Sequence, residues 1–595
     1  MKHVFLIVLC VFTMQFVKAK DPTNPLIITN HIGYEKTGYK QAVILGFEND
    51  NFENFQLIDY YSNKVILSGK TKAAGKVDNW KNWHFWTIDF SSIKDEGKYI
   101  IESISDGKKY TSYPFRIQEQ VLERNTISDI VYYFRGQRAV GLFEQADANV
   151  PVVKHDGENE TEVKRIDARG GWADATGDYS KVFSHLSNSE FFNPQQIPLT
   201  VWTLFKSYEE LCRRNEKGFA QVKKRMIDEA IYGADYLVNS KIPGGSFYRS
   251  VSCWGKKLPS DRKIHPVNRE INEYNTNFRE GAGVAIASLA LASTNEFHGI
   301  YSNEKYLETA EEAFDFLVKN NQRLVVGGKE NMVDDYCSLI AAVELYKATN
   351  NPKYKAFANN RGEILMNRLV SNNKYNNYWR ADDGDRPFFH AADAGFPVVA
   401  LLNYSDIADE NVKQNVLSVV KKSLEFDFAI SEEVTNPFNY TRQYVQHKDG
   451  KRESGFFFIH DSETAPWWQG ENARLASIAS AMKLATKYFS DDKKFVGKLR
   501  KYAVSQLNWI LGLNPYDACM LEGSGHNNPQ YLFYGSYEYK NAPGGIVNGI
   551  TAGLHDYHDI DFEKGYVETG NDDDWRWVEQ WLPHASWFMY AVSLE

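Results

Sequence analysis

The sequence predicts a two-domain protein, with an N-terminal β-sandwich followed by an all-α ring of paired helices. The chain has 595 residues, more than a single hydrophobic core normally supports. Residues 25–117 contain short β-rich runs separated by turn residues, whereas apolar residues after Gln118 recur with a helical period through most of the remaining chain. This change of period marks the expected domain boundary.

The N-terminal segment has the strand spacing of an immunoglobulin-like β-sandwich. Its runs at 42–45, 55–58, 86–90, 98–101 and 113–117 are rich in β-branched and aromatic residues, and the third alternates between apolar and polar positions. We therefore predict an immunoglobulin-like module over residues 25–117, whose role is to pack against the second domain.

The second segment, residues 120–595, contains about twelve amphipathic stretches. Apolar residues share one helical face near 222–237, 307–317 and 339–346, the last through Leu339, Ile340, Val343 and Tyr346, so we expect three one-sided helices. Six hairpins of such helices suit a closed toroid, with a site where the connecting loops meet. Further helices are predicted near 122–142, 196–214, 280–296, 352–371, 391–404, 410–427, 468–488, 494–512 and 583–594, and long loops at 150–190, 243–278 and 514–582.

Composition argues against a nucleic-acid partner. The formal net charge is −9 and no basic cluster is present, although binding to phosphates requires one. Four cysteines follow the N-terminal segment, widely spaced and without metal-like spacing, and they are expected to be buried thiols: Cys212, Cys253, Cys337 and Cys519.

The first nineteen residues have the pattern of a secretory signal peptide. Lys2 and His3 precede an apolar stretch, and residues 17–19 form a cleavage site. A membrane anchor is the alternative, but the apolar stretch is shorter than the ~20 residues that a spanning helix needs. No small residue precedes Cys10, which disfavours lipidation. We predict an exported protein, periplasmic or extracellular, without a membrane anchor once residues 1–19 are removed.

Two aspartates in a glycine-rich loop, Asp174 and Asp178, are candidates for water activation. Glycines permit sharp turns, so both carboxylates can point in one direction and hold a water between them. The alternative is an ordinary turn capped by aspartates.

Near the other end of the chain, Glu579 lies among tryptophans, in the sequence Trp-Arg-Trp-Val-Glu-Gln-Trp. Burial by indole rings raises the pKa of a carboxyl group, as a general acid requires. A first-turn glutamate at a helix start is the alternative. For residues 572–574, three consecutive aspartates, a solvated acidic loop is favoured.

These segments resemble glycoside hydrolase family 9. The resemblance rests on Gly-Gly-Trp-Ala-Asp-Ala-Thr-Gly-Asp at 170–178, the late Glu579, and Asn-His-Ile-Gly-Tyr at 30–34, which looks like the start of the immunoglobulin-like module often placed ahead of that family's (α/α)6 barrel. It spans nearly the whole chain. Three further segments also resemble that family: residues 277–281, 390–395 and 467–474.

The resemblance implies an inverting glycosidase that acts on β-linked sugars. Carried over by position, Asp178 is the catalytic base, Asp174 orients the water and Glu579 is the general acid. Inversion requires that base and acid stand roughly 6.5–9.5 Å apart. No cofactor is required. A structural calcium ion is compatible with the family, but no segment has a suitable ligand spacing, and no metal ligand is assigned.

Two departures from the cellulase pattern concern the substrate. The aspartate loop carries one extra residue, Thr176, and no His-His-Arg segment is evident where residues 523–529 stand. The variant loop resembles a branch that includes exo-β-glucosaminidases and enzymes on soluble or decorated β-glucans. The substrate is therefore expected to be a β-1,4-linked glucan-type or glucosamine-containing oligo- or polysaccharide.

Aromatic and polar residues of the loops are the candidates for substrate contacts, because sugar rings stack on indoles through their C–H faces. For His185 and the Glu471–Arg474 pair, a structural salt bridge remains an equal alternative. The candidates are Trp172, His185, Arg279, Trp467, Trp468, Glu471, Arg474 and Trp575.

Two other classes of function remain open. A carbohydrate-binding protein with an inactive barrel is disfavoured by the complete set of three acids. A polysaccharide lyase would need a neutralising group for an acidic sugar and a Tyr or His base.

Overall fold

The computed structural model describes residues 21–185, 191–214, 217–459, 470–529, 541–553, 557–562 and 575–595. The predicted signal peptide, the aspartates at 572–574, Trp467 and Trp468 lie outside these residues.

The N-terminal domain is a sandwich of two sheets. One has the strand order β1-β3-β7-β6 and the other β2-β10-β8-β4-β5, with β9 beside β8; β2 and β10 are parallel and the other pairs antiparallel. The predicted β-sandwich is thereby confirmed. Its strands are β1 (Leu26–Ile28), β2 (Tyr34–Glu35), β3 (Gln41–Gly46), β4 (Asn54–Asp59), β5 (Val65–Lys70), β6 (Lys72–Lys76), β7 (His84–Asp89), β8 (Gly97–Ser105), β9 (Lys108–Thr111) and β10 (Phe115–Gln118).

Strand β3 is buried on both faces, which explains its continuous apolar sequence. Side chains alternate across a strand, so Ala42 and Ile44 enter the core between the sheets. Val43 and Leu45 point the other way and join the core of the helical domain. The first sheet therefore lies between the sandwich core and the helices.

The second domain is helical. Its helices are α1 (Val121–Gly136), α2 (Leu142–Asp147), α3 (Ile197–Arg213), α4 (Ala220–Asn239), α5 (Ala282–Ser293), α6 (Asn303–Leu324), α7 (Met332–Thr349), α8 (Pro352–Met366), α9 (Phe396–Ser405), α10 (Glu410–Glu432), α11 (Glu471–Thr486), α12 (Lys493–Ile510), α13 (Trp575–Val578) and α14 (Leu582–Ser593). Short strands between them are β11 (Val150–Asp156), β12 (Asn159–Ile166), β13 (Lys181–Val182), β14 (Ser250–Cys253), β15 (Arg262–Lys263), β16 (Leu369–Val370), β17 (Tyr378–Trp379), β18 (Gln443–Gln446), β19 (Arg452–Gly455), β20 (Thr551–Ala552) and β21 (Ile560–Asp561).

The described helices form two concentric rings. Helices α3, α5, α7, α9, α11 and α14 each contact the next, and α14 contacts α3, so the inner ring closes. Helices α4, α6, α8, α10 and α12 lie outside against the inner helix that precedes each, and α1 lies against α14. This is the predicted (α/α)6 barrel.

The expectation that α7 is one-sided is wrong. Its residues from Met332 to Leu345 are all buried. An inner helix is covered by two ring neighbours and an outer partner, so no face reaches water and the apolar period disappears. The outer helices α4 and α6 bury one face, as predicted.

Among the described residues, no helix combines the length and the hydrophobicity needed to span a bilayer. Cys253, Cys337 and Cys519 are buried free thiols, as expected, and Cys212 is a half-buried one.

Candidate active site

Asp174 and Asp178 lie on a compact loop that glycine makes possible. Gly177 has a φ of 84°, a left-handed conformation that other residues rarely adopt. The Asp178 amide donates to the Ala175 carbonyl at 3.0 Å, and the Asp174 amide donates to the Ser180 carbonyl at 2.8 Å. The chain thus reverses between the two aspartates and holds both on one short loop.

Buried charges anchor the strand that follows this loop. Lys181 of β13 is fully buried and donates to Asp147 Oδ2 at 2.7 Å, while Arg262 Nε lies 3.0 Å from Asp147 Oδ1. Lys181 also donates to the carbonyls of Ala168 at 2.5 Å and Gly170 at 2.9 Å. Burial lowers the pKa of Lys181 to about 8, with the Asp147 charge opposing this shift. The cluster fixes the aspartate loop at both of its ends.

The C-terminal end of the chain pairs directly with the aspartate loop. The Thr176 amide donates to the Gln580 carbonyl at 3.0 Å, and the Thr176 hydroxyl donates to the Gln580 side chain at 2.7 Å. Ala175 and Trp581 form an antiparallel bridge. Glu579, which directly precedes Gln580, is therefore brought to the loop that carries the two aspartates.

Asp174 is buried, with polar partners on both carboxylate oxygens. Trp581 Nε1 donates to its Oδ1 at 3.3 Å, and His185 Nε2 lies in hydrogen-bonding contact with its Oδ2. Burial raises the pKa of Asp174, and the His185 charge opposes that shift. For His185, burial acts to lower the pKa, but the Asp174 carboxylate outweighs it and the pKa is raised. The two groups form a charge-assisted pair, with part of the His185 ring exposed to solvent.

Glu579 lies just beyond α13, half-buried. Its amide donates to the Trp575 carbonyl at 3.3 Å, and its carbonyl accepts from the Asn548 amide at 2.9 Å. Burial and, after it, the charges of Asp174 and Asp178 together raise the pKa of Glu579 from 4.5 to about 8. At neutral pH this carboxyl group holds a proton, so the site combines a proton donor with two further carboxyl groups.

Asp178 is half-buried, and its Oδ1 accepts from the Ser180 amide at 2.9 Å. Its charge acts on Glu579, as does that of Asp174. The structure therefore brings together all three acids chosen from the sequence.

Trp172 is a core residue, which corrects the expectation that it contacts substrate. Its side chain is 0% exposed, and its indole donates to Glu229 Oε2 at 3.2 Å. The ring packs between Phe134 and Tyr232. A fully buried indole cannot stack on a sugar. Trp172 therefore packs in the core below the loop that carries Asp174 and Asp178.

Arg279, Glu471 and Arg474 also lie in the interior. Arg474 donates to Glu471 Oε2 at 2.8 Å and to the Thr441 carbonyl at 2.9 Å, and its exposed fraction is 0%. Arg279 is buried 3.5 Å from Asp334 Oδ2. Glu471 and Arg474 therefore form the structural salt bridge that was the alternative to a substrate contact. Arg279 forms a similar buried salt bridge with Asp334.

Of the predicted contact residues that the structure describes, His185 and Trp575 lie near the three acids and are partly exposed. Trp575 is half-buried and lies one helical turn before Glu579. The Arg576 guanidinium lies 5.4 Å from the centre of its ring.

Three further residues interact with the acids or with their loop and were not predicted. The Trp581 indole donates a hydrogen bond to Asp174. Tyr133 is buried, and its pKa is raised first by that burial and then by the charges of Asp174 and Glu579. Lys257 lies 3.4 Å from the Gly177 carbonyl, and its charge lowers the pKa of Glu579. Of these, Trp581 alone has a sequence signal, as part of the tryptophan-rich segment around Glu579.

Potential metal ligands form two clusters in the described part of the chain, His31–Asp517–His526 and His155–Glu160–His265. Neither contains any of the three acids.

Comparisons with known proteins agree with this architecture. The profile of "Glycosyl hydrolase family 9" matches residues 124–578, and that of "Cellulase N-terminal ig-like domain" matches residues 22–108. The curated proteins gave no match.

Solved structures show the same fold. A metagenome-derived glycoside hydrolase family 9 endoglucanase is 17% identical with a TM-score of 0.67, covering 96% of this chain and 98% of its own. The Bacteroides ovatus GH9 protein is 19% identical with a TM-score of 0.65 and the same coverage. The family 9 endoglucanase J30 is 17% identical with a TM-score of 0.63, covering 94% of this chain and 99% of its own.

Proposed function

The chain belongs to glycosyl hydrolase family 9 and is a glycoside hydrolase, and from this premise we propose that it hydrolyses β-1,4-linked saccharides with inversion. The observation that carries the proposal is the meeting of Glu579, protonated at neutral pH, with Asp174 and Asp178. A proton donor and a base on opposite sides of one glycosidic bond are what inversion requires.

The three acids have different roles in this reaction. Asp178 takes a proton from a water molecule while the water oxygen attacks the anomeric carbon. Asp174 accepts a hydrogen bond from the other O–H of that water, which stays in the product hydroxyl, and so orients the water. His185 and Trp581 hold the Asp174 carboxylate in place. The Glu579 proton passes to the glycosidic oxygen as the bond to the leaving sugar breaks. Displacement from the opposite face inverts the anomeric centre.

Proton NMR of the first product tests the stereochemistry. A β-linked cello-oligosaccharide should release the α-anomer first, and the β-anomer should appear only by mutarotation. Release of the β-anomer first would show retention and would overturn the assignment of Asp178 as base to a water.

Asp178→Asn tests the base itself. Hydrolysis should fall by roughly two to four orders of magnitude while binding of the oligosaccharide persists, because the change removes proton abstraction and little volume. Turnover close to that of the wild type would exclude Asp178 as the base.

The substrate we propose is a glucan-type oligo- or polysaccharide, since two of the similar structures are endoglucanases. An exo-β-glucosaminidase is the alternative, which the departures in the aspartate loop and at residues 523–529 favour. Comparison of kcat/KM on cello-oligosaccharides and chitosan oligomers decides between them. We further propose that the protein is exported.

A further inference from the structure

The extra residue of the aspartate loop, Thr176, turns its side chain into the protein. Its exposed fraction is 8%. Its hydroxyl donates to Gln580 Oε1 at 2.7 Å and accepts from Gln137 Nε2 at 3.4 Å. Gln137 directly follows α1, and Gln580 directly follows Glu579. The inserted residue therefore binds side chains from both ends of the helical domain.

The Gln580 side chain is a buried bridge between two segments. Its exposed fraction is 0%. Its Oε1 accepts from the Ala542 amide at 2.7 Å, and its Nε2 donates to the Ala542 carbonyl at 2.8 Å. Because the Thr176 hydroxyl donates to the same Oε1, both lone pairs of that oxygen are used. The Gln580 side chain thus joins the aspartate loop to the segment 541–549.

A glycine makes room for this side chain. A Cβ atom at Gly545 would lie 2.4 Å from Gln580 Cδ, far closer than the roughly 3.5–4.0 Å at which carbon atoms pack. The Gln580 amide could move away only by giving up its hydrogen bonds to Ala542 and Thr176. The position of the amide is therefore fixed by packing on one side and by hydrogen bonds on the other.

Backbone contacts run along both sides of the segment that contains Gln580. On one side, the Leu582 amide donates to the Asp174 carbonyl at 3.3 Å. On the other side, Val547 and Gln580 form an antiparallel bridge. The segment with the general acid therefore lies between the aspartate loop and the segment 541–549, and the Gln580 side chain contacts both of them.

We propose that Thr176 and Gln580 are positioning residues, which set the separation between the base Asp178 and the acid Glu579. The inference rests on the proposed function, in which these two carboxyl groups act on one glycosidic bond. Thr176 lies two residues before Asp178, and Gln580 lies one residue after Glu579. A displacement of about 1 Å can lower a rate roughly a hundredfold, so a contact this close to both groups controls turnover. Neither Thr176 nor Gln580 transfers a proton.

Thr176→Val tests the pair, because valine keeps the branched shape of threonine and lacks the hydroxyl. On the preferred oligosaccharide, kcat should fall roughly tenfold to a hundredfold while KM changes by less than about twofold, since the contacts that bind the sugar remain. Thr176→Ser keeps the hydroxyl and should retain most of the wild-type kcat.

Thr200→Val is the matched control. The Thr200 hydroxyl is buried and lies 2.9 Å from Ser586 Oγ, so it joins α3 to α14 much as Thr176 joins the aspartate loop to Gln580. Its loss should lower the melting temperature and leave kcat unchanged. Equal losses of kcat in Thr176→Val and Thr200→Val would show a general effect of destabilisation and would overturn the proposal.

The pH profile is a second measurement, which destabilisation alone does not move. The charges of Asp174 and Asp178 contribute to the raised pKa of Glu579. If Thr176→Val lets the aspartate loop move away from Glu579, that contribution shrinks, and the alkaline limb of kcat/KM should move to lower pH. Thr200→Val should keep the alkaline limb of the wild type.

Gly545→Ala displaces Gln580 from the other side and applies the same test if Thr176→Val does not fold. It should also lower kcat, and the double variant should lose no more than the larger single loss, because both changes disrupt one contact. Wild-type kcat and an unmoved alkaline limb in the folded variants would overturn this proposal and leave the proposed function intact. Release of the β-anomer first by the wild type would instead overturn the proposed function itself.

Discussion

Glu579 carries a proton at neutral pH because its surroundings oppose ionisation. Burial is the larger cause and the nearby carboxylates Asp174 and Asp178 add to it, while His185 and Lys257 oppose them. The folded chain binds this proton more tightly than the unfolded chain does. The contribution of Glu579 to the free energy of unfolding therefore falls as the pH rises from about 4.5 to about 8.

Glu579→Gln should abolish most hydrolysis and stabilise the protein. The amide keeps the shape of the protonated acid but cannot ionise, so the melting temperature at pH 8 should rise by a few degrees over that of the wild type. The two proteins should melt at nearly the same temperature at pH 4. An equal difference at both pH values would contradict the raised pKa.

The activity of the wild type should decline above about pH 8, where Glu579 loses its proton. A pH profile of kcat/KM measures this alkaline limb. The pH at the midpoint of this limb should be the same in buffers of different ionic strength, because salt screens charges but does not change burial. That result would agree with burial as the main cause of the raised pKa.

His185 controls the charge on Asp174. Removing it in His185→Ala takes away an interaction that favours the carboxylate, so the pKa of Asp174 should rise. We expect kcat to fall by roughly tenfold to a hundredfold and the acid limb of the pH profile to move to higher pH. His185→Gln keeps a hydrogen-bond donor without the charge and should show a smaller loss. An unchanged acid limb in His185→Ala would exclude this role.

At the scale of elements, β13 depends on a buried charge cluster. The cluster consists of three residues that are at most 2% exposed: Lys181, Asp147 and Arg262. An unpaired charge at such a position strongly destabilises the folded state. The cluster therefore imposes one position on the loop that carries Asp174 and Asp178.

Lys181→Met should destabilise the protein by about 3–5 kcal/mol, since it leaves Asp147 with one partner and frees the carbonyls of Ala168 and Gly170. Activity measured well below the melting temperature should also fall, because the aspartate loop loses an anchor. Lys224→Met on the exposed face of α4 is the control and should change neither quantity. Equal effects of the two substitutions would contradict the anchoring role.

At the scale of the whole molecule, the sandwich and the barrel share one core. Trp80 is fully buried against Phe438, Phe457 and Trp509 of the barrel. The Asn30 side chain donates to Asn508 at 2.8 Å, and the His31 amide donates to the Leu511 carbonyl at 2.9 Å. An interface of this kind couples the unfolding of the two domains.

Trp80→Ala should destabilise the protein by roughly 3–5 kcal/mol, because it leaves a cavity between the domains. Calorimetry should show one transition in the wild type and a broader or split transition in the variant. Tyr61→Ala removes a ring that is 77% exposed in the same sandwich and should leave the transition unchanged. A single, unshifted transition in Trp80→Ala would show that the contact contributes little.

The sequence by itself predicted both domains and, through its resemblance to family 9, the three acids that the structure brings together: Asp174, Asp178 and Glu579. These features depend on residues that are contiguous in the chain: the alternation of strands, the helical period, and the glycines around Asp174 and Asp178. They can therefore be recognised without coordinates. Glu579 could be chosen because its neighbours in the sequence are tryptophans, which predicts burial of its carboxyl group, and because this segment resembles family 9.

Only the tertiary structure decided which side chains face solvent. Trp172 was expected to contact sugar but lies in the core, and α7 was expected to be one-sided but is buried on every face from Met332 to Leu345. His155 and His265 are 110 residues apart in the chain and are in contact. Burial and contact depend on which elements close over a residue, and that is set by the ring of helices and its loops. Local pattern cannot supply this information, because residues far apart in the chain provide the cover.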